Sequence, residues 1–488
     1  MAFSHLSEFV ALLEERGHLK RIRTEVSPEL EITEICDRVS KGPLDQNMAL
    51  LFENVAGSRF PVLINSLGHP QRMAWALGVD HLEDLNYRLA ALLDLRLPQG
   101  LGAVLGRVGE IVSSLRAVGV RPALVRNAPV QEKVYTGNEV NLNHLPILKC
   151  WPDDAGRYIT LPTVISRDPL TQTRNVGMYR LQLRDQQTLG MHWQIHKGGA
   201  DHARQARTDG GQHIPVAVSL GGDPAVMWCG SAPLPPGFDE FLLAGWLRGK
   251  PVELVRCVSQ PLEAPAHAEF VIEGYVDPTE LAPEGPFGDH TGHYTPMDEY
   301  PVLHVTAITH RAAPIYPTTV VGIPPMEDYW MGKATERLFL PLMRMSMGEI
   351  VDVAMPAEGI FHNLVLVSMH KQYPGHARKV INGLWGLGLM MLTKCIVVFD
   401  AAVDVQDTRA AMFHALNSVD WARDVIIQEG PTDALDHASY RFALGGKIGI
   451  DATRKWRSEG YARQWPDLIE MSPQVKARVD DLWQGLGL

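Results

Sequence analysis

VLHVTAIT, residues 302–309, is the kind of run that decides how this chain folds. It is aliphatic and rich in β-branched residues, with Pro301 before it and Pro314 shortly after it. Related runs stand at Thr163–Ser166, Pro215–Ser219 and Val252–Val258, each set off by Pro or Gly. Short strands with frequent turn signals predict a sandwich or a barrel. A β domain is therefore expected over residues 119–325.

On both sides the texture changes. In SHLSEFVALLEERG, residues 4–17, Leu6, Phe9, Val10 and Leu13 recur at helical spacing and Gly17 is placed to stop the helix. EITEICDRVS reads as a second helix, Ala49–Phe52 and Pro61–Leu67 as strands, and Tyr87–Leu95 as a leucine-rich helix. Residues 1–118 thus form an expected α/β unit. Beyond Met326, strand-like Leu364–Met369, Lys394–Phe399 and Val425–Gln428 are separated by helical stretches starting near His376 and Asp407. That spacing implies βαβ units and a partly parallel sheet over residues 326–488. A chain of 488 residues is long enough for several such cores.

Composition narrows the function. A net charge of −11 argues against a general nucleic-acid binder and against docking on an anionic membrane. The longest apolar stretch, Gly383–Leu392, is too short to span a bilayer, and MAFSHLSEF lacks the features of a secretory signal. The expected location is the cytoplasm. Five cysteines without a CxxC read as buried thiols rather than a zinc ribbon or redox pair.

Four segments could carry chemistry. APEGPFGDHTGHYTP, residues 282–296, places Glu284, Asp289, His290 and His293 on a Gly- and Pro-rich loop. Two carboxylates converging there would push their pKa values apart and prepare a proton donor. The simpler reading is a surface turn with solvated acids. In RNVGMYRLQ, residues 174–182, strand alternation puts Asn175, Gly177 and Tyr179 on one face and Arg180 on the other, unless a bulge intervenes. In GMHWQIHKGGADH, residues 190–202, His192 and His196 have zinc-ligand spacing, but Trp193 stands where a zinc protease carries Glu. Its Lys197-Gly198-Gly199 turn could approach a phosphate. In PGFDEFLLAGWLRGKPVELVRC, residues 236–257, Glu240 opens an apolar helix, where simple capping is the plain alternative. GxGxxG, GxxxxGK[ST] and GxSxG motifs are absent.

Taken in order, LEITEICDRV, PILKCWPDDAG, NVGMYRLQ, HKGGA, EFLLAGWLRG, EFVIEGYV, PEGPFGDHTGHY, KQYPGHARKV and GGKIGIDATRKW resemble the UbiD-type decarboxylases, which depend on prenylated FMN. The branch carrying most of the likeness is that of the 4-hydroxy-3-polyprenylbenzoate decarboxylases of ubiquinone synthesis. The resemblance implies an N-terminal α/β domain, a central split β-barrel holding the flavin, and a C-terminal α/β domain used for oligomerisation as a dimer or hexamer. It implies Arg180, Glu284 and Asp289 as catalytic residues, with Asp289 standing where some branches have Glu. Met178, Tyr179, Arg180, His192, Trp193, Gln194, Lys197 and Gly198 would line the flavin site. Asn175, His192 and Glu240 would hold Mn2+, an ion suited to such an oxygen and nitrogen set, with K+ beside it.

Loss of CO2 from an sp2 carbon leaves charge that no side chain absorbs, so an electron-sink cofactor fits the chemistry. The resemblance also implies a flavin prenyltransferase as cofactor supplier, and peripheral membrane contact for a polyprenylated substrate. Two rivals stand beside this reading. One is a decarboxylase of another aryl acid, such as 1,4-dihydroxy-6-naphthoate or a hydroxybenzoate, with pocket walls drawn from Thr318–Pro325 and Met326–Met331. The other is a non-catalytic flavin-binding protein, which would have no use for an Arg–acid–acid set.

Overall fold

The computed structural model describes residues 3–94, 120–193, 199, 204, 213–234, 237–483 and 485–486. Helix Leu6–Glu15 buries Leu6, Phe9, Val10 and Leu13, and Gly17 follows it at φ 71°. That positive φ is open to glycine at little cost. Helix Glu31–Lys41 and strands Ala49–Phe52 and Val62–Ile64 complete the first unit. Its sheet runs Leu19–Ile22, Ala49–Phe52, Val62–Ile64, Tyr316–Pro317. The last strand comes from far downstream and pairs parallel to Val62–Ile64, so the end of the middle region is fastened to the first sheet.

The middle region holds a nine-stranded sheet. Its path is Tyr158–Ile159, Leu181–Leu183, Thr188–Met191, Asp298–His310, Phe270–Glu284, Ile214–Leu220, Thr163–Arg167 and Arg174–Gly177, with Lys133–Thr136 also on Asp298–His310. Every pair is antiparallel. The β character expected of this region is present, but among the described residues no sheet closes on itself. The two terminal strands, two and four residues long, do not pair with each other. The spine is the hairpin of Phe270–Glu284 with Asp298–His310, whose register shifts at Glu273/Gly274 and Asp277/Leu281. Such bulges bend a strand and re-aim its end, and this strand ends on Glu284.

Helix Glu327–Ser346 leads into a five-stranded sheet ordered Ile350–Ala354, Leu364–Met369, Cys395–Asp400, Leu444–Asp451, Val425–Pro431. Its three inner strands are mutually parallel, with helices His376–Trp385 and Thr408–Ser418 in the connections, as the spacing predicts. No helix among the described residues is long and apolar enough to cross a membrane.

Candidate active site

Arg180 lies in the break between Arg174–Gly177 and Leu181–Leu183, so strand alternation does not dictate its direction. Its Nε and Nη2 donate to the two Glu284 oxygens at 2.8 and 2.9 Å, a bidentate fork, and Nη1 donates to Asp289 Oδ2 at 2.6 Å. The guanidinium lies over the Phe287 ring, 4.5 Å from its centroid. Glu284 is fully buried and Asp289 is 7% exposed. The reading of these acids as a solvated surface turn therefore fails. Their chain segment explains the convergence. Glu284 ends the long strand, and Phe287–Gly288 then pairs with Tyr294–Thr295 so that Asp289 begins the turn between them. Asp154 pins this loop, its carboxylate accepting from the amides of Gly288, Cys150 and Trp151.

His192 joins the cluster, with Nδ1 3.1 Å from Glu284 Oε2 and its ring 4.2 Å from that of Tyr300. Gly190, on the strand leading to it, faces the Glu284 side chain, and a Cβ there would sit 3.4 Å from Glu284 Cγ. Asp289 Oδ1 meets both the ring Nδ1 and the backbone amide of His290 at 2.8 Å, and Thr295 Oγ1 donates to Oδ2 at 3.1 Å. Burial alone would raise both carboxyls. For Glu284, hydrogen bonds from His192 and Arg180 outweigh it and hold the group down at about 2. For Asp289, His290 and Arg180 hold it well below the usual carboxylate range. Burial opposes a charge on His290, but Asp289 raises its pKa. Burial and the Arg180 charge push the His192 pKa down.

Glu240 is held elsewhere, at Val176, the residue after Asn175. Glu240 Oε2 accepts from the Val176 amide at 3.0 Å, and Asn175 Nδ2 donates to the Tyr179 hydroxyl at 3.2 Å. Asp239, not Glu240, caps helix Glu240–Arg248 by accepting from Phe241 N, so capping does not account for Glu240. Burial pushes Glu240 up to about 8. A buried carboxylate of this kind is stabilised by a cation, and its oxygen is a donor that a divalent ion accepts. Among the described residues no direct hydrogen bond joins His192 to Asn175 or Glu240; its contacts lead to the acid cluster.

The expected flavin-lining residues divide. Met178 N donates to Gly230 O, and the Tyr179 hydroxyl accepts from Gly199 N at 3.2 Å. Trp193 is buried against Gly199, where a Cβ would come within 2.4 Å of the indole nitrogen. Trp193 Nε1 finds no acceptor among the described residues, a buried donor that a bound polar group would satisfy. Gln194, Lys197 and Gly198, and the second zinc-spaced histidine, His196, lie outside the described residues. Sequence reading missed Asp154, Thr295, Tyr300 and His362. Of these only Asp154, four residues after Cys150, carried a local signal, that of a side chain capping its own turn.

Three family models match the chain. The 3-octaprenyl-4-hydroxybenzoate carboxy-lyase N-terminal domain matches residues 10–92, its Rift-related domain 123–324, and its C-terminal domain 329–452. An uncharacterized protein of Aquifex aeolicus is 50% identical over 487 residues, covering 100% of this chain and 99% of that one. An uncharacterized protein of Archaeoglobus fulgidus is 49% identical over 484 residues, with 99% and 98% covered. Among solved structures, the closed form of Sedimentibacter hydroxybenzoicus vanillic acid decarboxylase superposes with TM-score 0.87 at 26% identity, covering 100% of this chain and 99% of that one. The UbiD-class enzyme HmfF from Pelotomaculum thermopropionicum in complex with FMN gives TM-score 0.79 at 29% identity, with 97% and 98% covered. Its evolved dimeric form in complex with prFMN gives 0.79 at 29%, with 98% and 99% covered.

Proposed function

The chain belongs to the UbiD family of carboxy-lyases, and from that premise we propose that it decarboxylates a hydroxylated aromatic acid at the Arg180–Glu284–Asp289 cluster. The observation carrying this is one buried guanidinium held by two buried carboxylates. A flavin-binding protein without chemistry has no need to bury that set.

We read the open nine-stranded sheet as the split barrel that receives a prenylated FMN. Met178, Tyr179, Trp193, Gln194, Lys197 and Gly198 would line it. Asn175, His192 and Glu240 would hold Mn2+, and K+ would accompany it. When bound, this cofactor supplies the electron sink for CO2 loss. The chain's own residues do the rest. Arg180 fixes both acids in place, and His192 takes up part of the Glu284 charge. One acid delivers a proton to the carbon that has lost its carboxylate.

The first substrate choice is 4-hydroxy-3-polyprenylbenzoate, in line with the description of the matching family models. A simple hydroxybenzoate is the second, since one structural neighbour is a vanillic acid decarboxylase. The polyprenylated acid would bring the protein to a membrane surface, and a flavin prenyltransferase would supply the cofactor. The test is an assay of protein co-produced with such a prenyltransferase and supplied with Mn2+. A short-chain 4-hydroxy-3-prenylbenzoate, vanillate and 1,4-dihydroxy-6-naphthoate are offered side by side, and carboxyl loss is followed by mass. Turnover of the prenylated acid alone supports the first choice. Turnover of vanillate alone replaces it with the second, and turnover of the naphthoate alone excludes both.

A further inference from the structure

The loop that carries Asp289 does little to hold itself. Its own ladder is Phe287–Gly288 against Tyr294–Thr295, two residues a side, and so short a hairpin is marginal in water. The turn after Cys150 supplies the rest. Ala155 N donates to Pro286 O at 2.9 Å, and Asp153 N donates to the Tyr294 hydroxyl at 3.2 Å. The Asp154 carboxylate joins the amides of Gly288 and Trp151. The Trp151 indole then links this turn and the loop to a third segment, Val321–Gly322.

A Cβ on Gly288 would fall 2.2 Å from the indole Cδ1, and one on Gly322 would fall 2.7 Å from Cζ2 on the six-membered ring. Ordinary contact begins at 3.4 Å. Neither glycine has a positive φ, so the backbone does not call for glycine at either place. What the two share is the indole lying against them. Its Nε1 donates to Val321 O at 2.9 Å, which fixes the ring in one pose. Val321 and Gly322 do not simply follow the loop, because Thr319 just before them is tied through its O and N to Thr160 Oγ1, at 2.6 and 3.2 Å. The indole thus reaches from a fixed segment to the residue before Asp289.

We propose that Trp151 is a positioning residue that sets where Asp289 stands, by holding Gly288 at a fixed distance from Val321 and Gly322. This rests on the decarboxylase reading above. Asp289 follows Gly288 directly, and its Oδ2 meets Arg180 Nη1 at 2.6 Å. A shift of Gly288 therefore moves the acid against a guanidinium that Glu284 already holds by two bonds. Catalytic geometry tolerates little of this, since a misplacement of about 1 Å costs about 10²-fold in rate. Asp154 and the indole divide the task. The carboxylate holds the Gly288 amide, and the ring limits how closely Gly288 approaches the Val321 segment.

The test measures kcat and KM of the holoenzyme, on the acid it turns over, for Gly288→Ala, Trp151→Phe, Trp151→Ala and the double variant of Gly288→Ala with Trp151→Ala. Bound-flavin absorbance is the control for folding. Gly288→Ala should lose about 10²-fold in kcat with KM nearly unchanged, since the new Cβ displaces the loop by about 1 Å. Trp151→Phe drops the bond to Val321 and should also lose kcat at nearly constant KM. In the Trp151→Ala background Gly288→Ala should change kcat little, because the ring it would strike is gone. An equal loss in both backgrounds, or an unchanged kcat in Trp151→Phe, overturns the proposal while the decarboxylase reading stands. Should Trp151→Ala shed its flavin, Trp151→Phe and Gly288→Ala decide, and an unchanged kcat in either overturns the proposal. If wild type turns over no acid, that reading fails and the purified chain decides by indole 15N NMR. The Trp151 Nε1 resonance, identified with Trp151→Phe, should move in both Gly288→Ala and Gly322→Ala; a resonance that stays put refutes the contact.

Discussion

Arg180→Met keeps most of the side chain's length and removes its charge, leaving Glu284 and Asp289 buried without their shared cation. The size of the effect follows from Glu284. Its usual value of 4.5 is brought to about 2 against the pull of burial. At 1.36 kcal/mol per unit this is about 3 kcal/mol of stability in the ionised state. His192 and Arg180 share that, and losing one partner of a buried ion pair typically costs about 3–5 kcal/mol, so Arg180→Met should cost about 3 kcal/mol. In wild type a depressed carboxyl contributes stability that is complete above about 4.5 and lost as pH falls toward about 2. In Arg180→Met the hydrogen bonds from His192 and His290 remain but the guanidinium no longer adds to them, so both carboxyls rise from their wild-type values. The variant should then be less stable than wild type above about pH 4.5, and that deficit should shrink as pH falls toward about 2. Urea unfolding of cofactor-free protein at several pH values reads this directly. A variant with unaltered midpoint, or with the wild-type pH profile displaced uniformly, would refute the argument.

Glu284→Gln should retain flavin and metal but lose about 10²–10⁴-fold in kcat, measured by steady-state decarboxylation alongside bound-flavin absorbance. Glu240 is pushed up to about 8 by burial, so its ionisation destabilises the metal-free fold as pH rises from 4.5 toward that value. Glu240→Gln should therefore stabilise the metal-free chain at about pH 8 and abolish the stabilisation that added Mn2+ gives wild type, both visible by thermal unfolding. At Gly177 a Cβ would fall 2.3 Å from the Tyr179 ring. Gly177→Ala should cost about 1–3 kcal/mol by overpacking and weaken flavin retention, checked by urea unfolding and by the flavin content of purified protein.

Much of the architecture was legible because local pattern and tertiary environment agree. Leu6, Phe9, Val10 and Leu13 are apolar at helical spacing and all four are buried. Leu364–Met369 is a strand with the bounds its composition suggests. The strand return of Tyr316–Pro317 to the first sheet was not legible, because a two-residue strand has no periodicity. Sheet closure was equally beyond pattern, since it depends on which edges meet. Within the site, the convergence of Arg180 with Glu284 and Asp289 came from resemblance, while strand alternation left the direction of Arg180 open. The structure resolves this by ending the strand at Gly177. The zinc-like spacing at His192, set aside because Trp193 follows it, also lacks a helix there, since His192 follows the strand Thr188–Met191. His362 lies 72 residues from its partner His290, and no local motif announces so distant a contact.

Carboxyl exchange tests the central claim most directly. Holoenzyme carrying mature cofactor is incubated with a panel of hydroxybenzoates and 13C-labelled bicarbonate, and label entering the acid is measured for wild type and Glu284→Gln. The account predicts label in at least one acid with wild type and almost none with the variant. Absence of label from every acid, or equal label with Glu284→Gln, would contradict it.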